Sequence, residues 1–303
     1  MNSTMNKSIV YDRADQLPQD FLASCRKMPL PTTMLMCRPE NFDVVDVKNP
    51  HMEGNIGNVD KGKAVSQWDA VREAFLQSEA QVELIEPVPD CEDMVFCANQ
   101  TFVGLDADGK KLCVLSQMKH ASRQREVAAF GKWFGEHGYR VENLPGQIGF
   151  EGSGDAIWHP GRALVWGGSG FRTESEVYPH ISSFFGVPVI RLPLKSDRFY
   201  HLDTCFCAID EETVLINPRS LTEEGVAMIR AVFKNVIECN EQEANEGMAC
   251  NATAIGAKHV SIQKGNDKTV AALQKLGYKV IEVDTSEYLK SGGSVFCMKM
   301  YVF

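Results

Sequence analysis

RALVWGG (162–168), TESEVYPHISSFFG (173–186) and VPVIRLPL (187–194) read in succession as strand, helix and strand. The outer runs are apolar and β-branched, bounded by Gly and Pro. The middle segment repeats its apolar residues at three- and four-residue spacing and closes on Gly186. Working outward, the alternation continues in both directions. Strands are predicted at 32–39, 81–88, 110–116, 204–210, 213–218, 259–263, 278–284 and 294–303, and helices at 66–79, 124–138, 222–233 and 267–277. Strand–helix alternation of this kind specifies an α/β fold. The repeated strand–helix–strand pattern suggests one supersecondary unit used several times, although no sequence repeat accompanies it.

A chain of 303 residues, 44% hydrophobic and 23% charged, has ample material for a core and is not a disordered segment. The net charge of −9 disfavours nucleic acid and anionic membranes as partners and is compatible with a small cationic substrate. Ten cysteines are scattered without a CxxC pair, which argues against a structural zinc site and against a disulfide frame. The N-terminal residues contain no apolar signal region, and no run is long enough to span a bilayer. A cytoplasmic, reduced protein is expected, with the sequons at Asn2, Asn99 and Asn251 unglycosylated. The domain expectation is one unit over 1–303, with 1–30 a partly mobile N-terminal extension.

Four segments concentrate polar or reactive residues beside predicted strand ends, where sites are commonly built. PDCEDMVFCANQTF (89–102) carries Asp93 and Asn99, and FEGSGDAIWHPG (150–161) carries Glu151 and Asp155. RFYHLDTCFC (198–207) alternates His201 and Asp203, which would share one side of a strand. SGGSVFCMKM (291–300) presents Cys297 after a glycine-rich turn. Each has a plain structural reading: a buried cysteine, a hydrogen-bonded His–Asp pair, a tight turn. Together they make a thiol nucleophile, an imidazole and several carboxylates, which suits attack on a cationic carbon centre. Carboxylates would grip a guanidinium, and the bound cation would favour the thiolate. A metal reading uses His201, Asp203, Glu151 and Asp155 as ligands, but it needs no cysteine and lacks an HExxH spacing.

These motifs resemble those of the guanidino-modifying enzymes: amidinotransferases, arginine deiminases, dimethylarginine dimethylaminohydrolases and arginine dihydrolases. The marks are E-G-x-x-D from Glu151 to Asp155 (one residue longer than the usual EGGD), H-L-D from His201 to Asp203, and the Gly-rich turn before Cys297. The likeness runs from MLMCRPENFDV and NPHMEGN through SRQRE and GFRT to ACNATAIG. It implies a pentein-type β/α propeller, five ββαβ-like units around a central site, with no cofactor and no metal. It also implies a small cationic guanidino substrate, and leaves the oligomeric state open.

Carried over residue by residue, the resemblance makes Cys297 the nucleophile and His201 the acid and then base, with Glu151 orienting His201. Asp93 and Asp203 would bind guanidinium nitrogens, and Asp155 would be a further substrate-binding residue. Arg172 would pair with the substrate α-carboxylate, Arg123 would be a second candidate for that pairing, and Asn49 of NPHM would line the pocket. Asn99 stands where deiminases and dimethylaminohydrolases carry an aspartate, as in the arginine dihydrolase type. An amide there can donate to a ureido oxygen that a carboxylate would repel. Cys91 and Glu92 also depart from the usual Leu-Pro before Asp93. The expected activity is arginine dihydrolase, through a covalent thiouronium, giving ornithine, carbon dioxide and ammonia. The alternatives are a deiminase, a dimethylarginine dimethylaminohydrolase, an amidinotransferase, a metal-dependent hydrolase and a non-catalytic binding protein.

Overall fold

The computed structural model describes residues 8–303. Asn2 and the first seven residues of the expected extension lie outside the described residues. The chain opens with β1 (Ile9–Tyr11) and the single turn α1 (Phe21–Ser24). Next come β2 (Thr33–Cys37), α2 (Lys61–Gln77) and β3 (Gln81–Ile85), then β4 (Thr101–Leu105), β5 (Lys111–Leu115), α3 (Ala121–Glu136) and β6 (Arg140–Glu142). The third group is β7 (Ala156–Trp158), β8 (Val165–Ser169), α4 (Tyr178–Phe185) and β9 (Pro188–Pro193). The fourth is β10 (Phe206–Ala208), β11 (Thr213–Ile216), α5 (Glu223–Val232) and β12 (Asn235–Glu238), followed by α6 (Glu241–Gly247). The fifth is β13 (Thr253–Ile255), β14 (His259–Gln263), α7 (Asp267–Lys275) and β15 (Lys279–Val283), before α8 (Ser286–Leu289) and β16 (Met300–Val302).

One rule generates all five groups. The first strand runs antiparallel to the second, and the second runs parallel to the third across a helix. The β2–α2–β3 group lacks its own first strand, and β16 supplies it from the end of the chain by pairing antiparallel with β2. The ring is thereby closed. Val103, Ala156, Cys207, Ala254 and Met300, one from the first strand of each group, line a common cavity. This is the expected α/β propeller of five ββαβ units. β1 adds a fourth strand beside β9, and Phe21, Cys25 and Met28 are buried behind it.

The helices pack as their periodicity requires. α2 starts where the Asp60 side chain accepts from the Lys63 N–H, and it buries Trp68, Val71 and Phe75. α3 buries Val127, Phe130 and Phe134. α4 begins at Tyr178 rather than 173, because Glu174 is extended and a short 3₁₀ turn over Ser175–Val177 leads into Pro179 in the first helical turn. The largest departure concerns 294–303, read as one strand: only Met300–Val302 is strand, and the preceding residues form turns around Cys297. His201 and Asp203 are likewise not on a strand, since Leu202–Thr204 is a 3₁₀ turn and the strand starts at Phe206. No described helix is long and apolar enough to cross a membrane.

Candidate active site

The loop ends converge on a small cavity bordered by Lys48, Asp93, Asn99, Arg123, Arg172 and Cys297, among others. Cys297 comes from the turn before β16, and Asn251 builds that turn. The Asn251 Oδ1 accepts from the N–H groups of Ser294 (2.9 Å) and Cys297 (3.3 Å), while its Nδ2 donates to the Cys297 Sγ at 3.1 Å. The thiol donates to Asp203 Oδ2 at 3.2 Å. Burial, and then the charge of Asp203, push the Cys297 thiol well above its ordinary range. Burial also raises the Asp203 carboxyl, to about 7. Burial and the Asp203 charge both favour the thiol over the thiolate at neutral pH. A cation arriving beside it reverses that balance.

A second cluster surrounds Glu151. Its Oε2 accepts from His201 Nε2 at 2.7 Å and from Arg172 Nη1 at 3.0 Å, and its Oε1 accepts from the Lys119 N–H at 3.0 Å. Burial alone would raise the carboxyl, but the His201 hydrogen bond and the charge of Arg172 hold it far below the usual range. A permanently ionised Glu151 fixes the imidazole with its proton on Nε2, so that Nδ1 faces the Asn99 amide at 3.4 Å. Gly154 makes this approach feasible, because a Cβ there would stand 2.3 Å from Asn99 Nδ2 and 3.3 Å from the imidazole.

Asn99 is oriented from behind. Arg123 Nη1 donates to Asn99 Oδ1 at 2.9 Å, which turns the amide NH₂ toward His201. Arg123 is thus not a surface residue. Its remaining donors serve Glu126 and the carbonyls of Asp93 and Phe96 in a buried network. Those bonds leave one Nη1 N–H uncommitted, so the fork mainly braces Asn99 while Arg123 still borders the cavity. Arg172 borders the cavity, stacked 4.6 Å above the Tyr200 ring, with Nη2 on the Lys48 carbonyl at 2.8 Å. Asn49 also borders the cavity, but both its polar atoms are engaged, by the His51 N–H and the Ser291 carbonyl.

Asp155 follows the Gly152–Gly154 turn, and its Oδ1 accepts from the Leu202 N–H at 2.9 Å, which holds the His201 loop, while its Oδ2 is buried without a donor. Of the metal reading's four residues, His201 and Glu151 pair with each other, Asp203 accepts from Cys297 and Asp155 from Leu202, and among the described residues no group of three His, Cys, Asp or Glu side chains is placed to hold a metal ion. The sequon residues Asn99 and Asn251 are both buried within the site.

Two residues went unread in the sequence. Asn251 lies in a segment quoted only for its likeness, and nothing local marks it as the anchor of a turn 46 positions away. Lys48 precedes Asn49 and would pass for a solvated lysine. It is buried, with its ammonium on Glu92 (2.8 Å), on Asp46 and 3.2 Å from Asp93 Oδ2.

The profile of the family described as "N,N dimethylarginine dimethylhydrolase, eukaryotic" matches residues 39–303. The bifunctional arginine dihydrolase/ornithine cyclodeaminase AgrE of Nostoc sp. is 35% identical over 270 residues, 88% of this chain but 37% of that protein. The chain therefore spans little more than a third of that relative. The N(G),N(G)-dimethylarginine dimethylaminohydrolase of Mycobacterium tuberculosis is 30% identical, with 91% and 88% of the two chains covered. Among solved structures, the N-terminal domain of ArgZ, a cyanobacterial arginine dihydrolase bound to its substrate, superposes with a TM-score of 0.83 at 34% identity, covering 89% of this chain and 97% of that one.

Proposed function

Because the chain belongs to the N,N-dimethylarginine dimethylhydrolase family, we propose that it is a cysteine hydrolase of the guanidino group of free L-arginine, and within that class an arginine dihydrolase. The observation that carries the second half is the Asn99 amide, with its oxygen held by Arg123 and its NH₂ left facing His201 beside the cavity. The relatives named as arginine dihydrolases, of which ArgZ is one, are consistent with this reading.

In the proposed reaction the guanidinium settles between Asp93 and Cys297, and its charge favours the thiolate. The Cys297 sulfur attacks the guanidino carbon. His201, held by Glu151, takes up the proton that the thiol releases, gives it to the departing ammonia, and then takes one from the water that releases citrulline. Citrulline stays, its ureido oxygen accepting from Asn99 Nδ2, and Cys297 attacks the same carbon again. A second ammonia leaves, and hydrolysis of the thioester-like intermediate gives a carbamate that decomposes to ornithine and carbon dioxide. Two waters are consumed and two ammonia released for each arginine. Arg172 is the proposed partner of the α-carboxylate.

Asn99→Asp tests the reading. It should leave arginine consumption measurable while citrulline accumulates, with its onward hydrolysis slowed on the order of 100-fold by loss of the donor and repulsion of the ureido oxygen. Ornithine formation at the parental rate in that variant would remove the case for a dihydrolase.

A further inference from the structure

Lys48 brings a third cation to a cavity already bordered by Arg123 and Arg172. Its side chain is 3% exposed, as is that of Asp93. The ammonium bonds to Asp46 and to Glu92 at 2.8 Å. Burial alone would lower a lysine, but the charge of Asp93 and the hydrogen bonds to Asp46 and Glu92 raise this one, so it stays protonated. Its relation to Asp93 differs in kind. The ammonium stands 3.2 Å from Asp93 Oδ2 yet makes no hydrogen bond to it, and that oxygen is buried with no donor at all. The other oxygen, Oδ1, accepts from the Ser291 hydroxyl at 3.2 Å.

Asp93 therefore has its charge partly compensated and its acceptor vacant. A buried acceptor without a donor is costly to leave unmade, so the site favours any N–H that points at Oδ2. With the Lys48 ammonium, shared with Asp46 and Glu92, already offsetting part of that negative charge, the N–H need not come from a cation. Asn99, also in the lining of the cavity, adds a neutral donor.

Resting on the arginine reading above, we infer that Lys48 is a specificity-determining residue: a resident counter-ion on Asp93 that lets one cavity hold a neutral ureido group as well as a cationic guanidinium. A site that must keep citrulline for a second attack needs this tolerance, whereas a bare Asp93 beside Cys297 would select for cations. The role is electrostatic compensation, and Lys48 need not touch the substrate.

The test measures binding, so it does not depend on turnover. Dissociation constants of L-arginine and L-citrulline are determined by calorimetry for the full chain carrying Cys297→Ser, alone and combined with Lys48→Met or Lys48→Arg. Lys48→Met keeps the length of the side chain and removes the charge. It should tighten arginine on the order of 10-fold while moving citrulline by less than about 3-fold, so the preference shifts toward the cation. Lys48→Arg, which keeps the charge, should hold the parental ratio. An unchanged ratio in Lys48→Met overturns the inference while leaving the arginine reading intact. Weaker arginine binding overturns it too, because Lys48 would then be a ligand for the substrate carboxylate. If the Cys297→Ser parent binds neither compound, the arginine reading itself fails, and this inference with it.

Discussion

Replacing Asn251 by aspartate isolates the electrostatics of the nucleophile from the architecture of its turn. The Oδ1 that accepts from the Ser294 and Cys297 N–H groups has an equivalent in aspartate, so the turn keeps both bonds. What changes is the atom 3.1 Å from both the Cys297 sulfur and the Asp203 carbonyl, where an N–H donor becomes an oxygen. Two unit charges about 4 Å apart interact by about 4 kcal/mol at the effective dielectric that reproduces protein data, which is about three pH units on the thiol. Protonation of the new buried carboxyl relieves part of this. The expected net effect is a fall of about 10- to 100-fold in the thiolate fraction at mildly alkaline pH.

The assay is the rate of alkylation of Cys297 by iodoacetamide across pH, read by mass spectrometry on the peptide that contains it. All ten cysteines are buried and free, so the other nine provide an internal reference. In the parent, where burial and Asp203 raise the thiol, the rate should climb about tenfold per pH unit through neutrality without a plateau. In Asn251→Asp the curve should lie lower at every pH, at temperatures well below a melting point that the buried carboxyl and the lost bond to the Asp203 carbonyl also lower. Asn251→Ala instead strands two buried N–H groups, at roughly 1–3 kcal/mol each, and should lower the melting temperature by several degrees. A parental alkylation profile in Asn251→Asp would refute the claim that this amide sets the state of the sulfur.

Other substitutions probe the rest of the site. Arg172→Ala should raise KM for arginine about 10- to 100-fold but change agmatine, which has no α-carboxylate, much less; equal losses would remove Arg172 from carboxylate recognition. Gly154→Ala places a methyl 2.3 Å from Asn99 Nδ2, so turnover should collapse while circular dichroism stays native-like, and an active variant would show that the Asn99–His201 approach is dispensable.

The sequence revealed the middle strand of every unit and the five helices that follow them, because both carry long apolar patterns. It was poor on the first strands. β7 and β13 are three residues long, and β4 follows the Asn99 segment with no turn signal to separate them. Such strands are held by the ring rather than by local preference. The reactive residues were legible because Cys297, His201 and Glu151 sit in compact motifs. Their supports were not. Arg123, read as a substrate ligand, also braces Asn99 from a buried position, which only the distance from α3 to the Asn99 loop could disclose. Lys48 and Asn251 work across 45 and 46 positions, to Asp93 and Cys297, through contacts that no local pattern records.

The most direct test of the account is a product balance. Purified protein is incubated with L-arginine, and ornithine, citrulline and ammonia are quantified to completion. Ornithine is expected with two ammonia for each arginine consumed, and citrulline only transiently. Citrulline accumulating with a single ammonia, or dimethylamine released from dimethylarginine while arginine is left untouched, would contradict this.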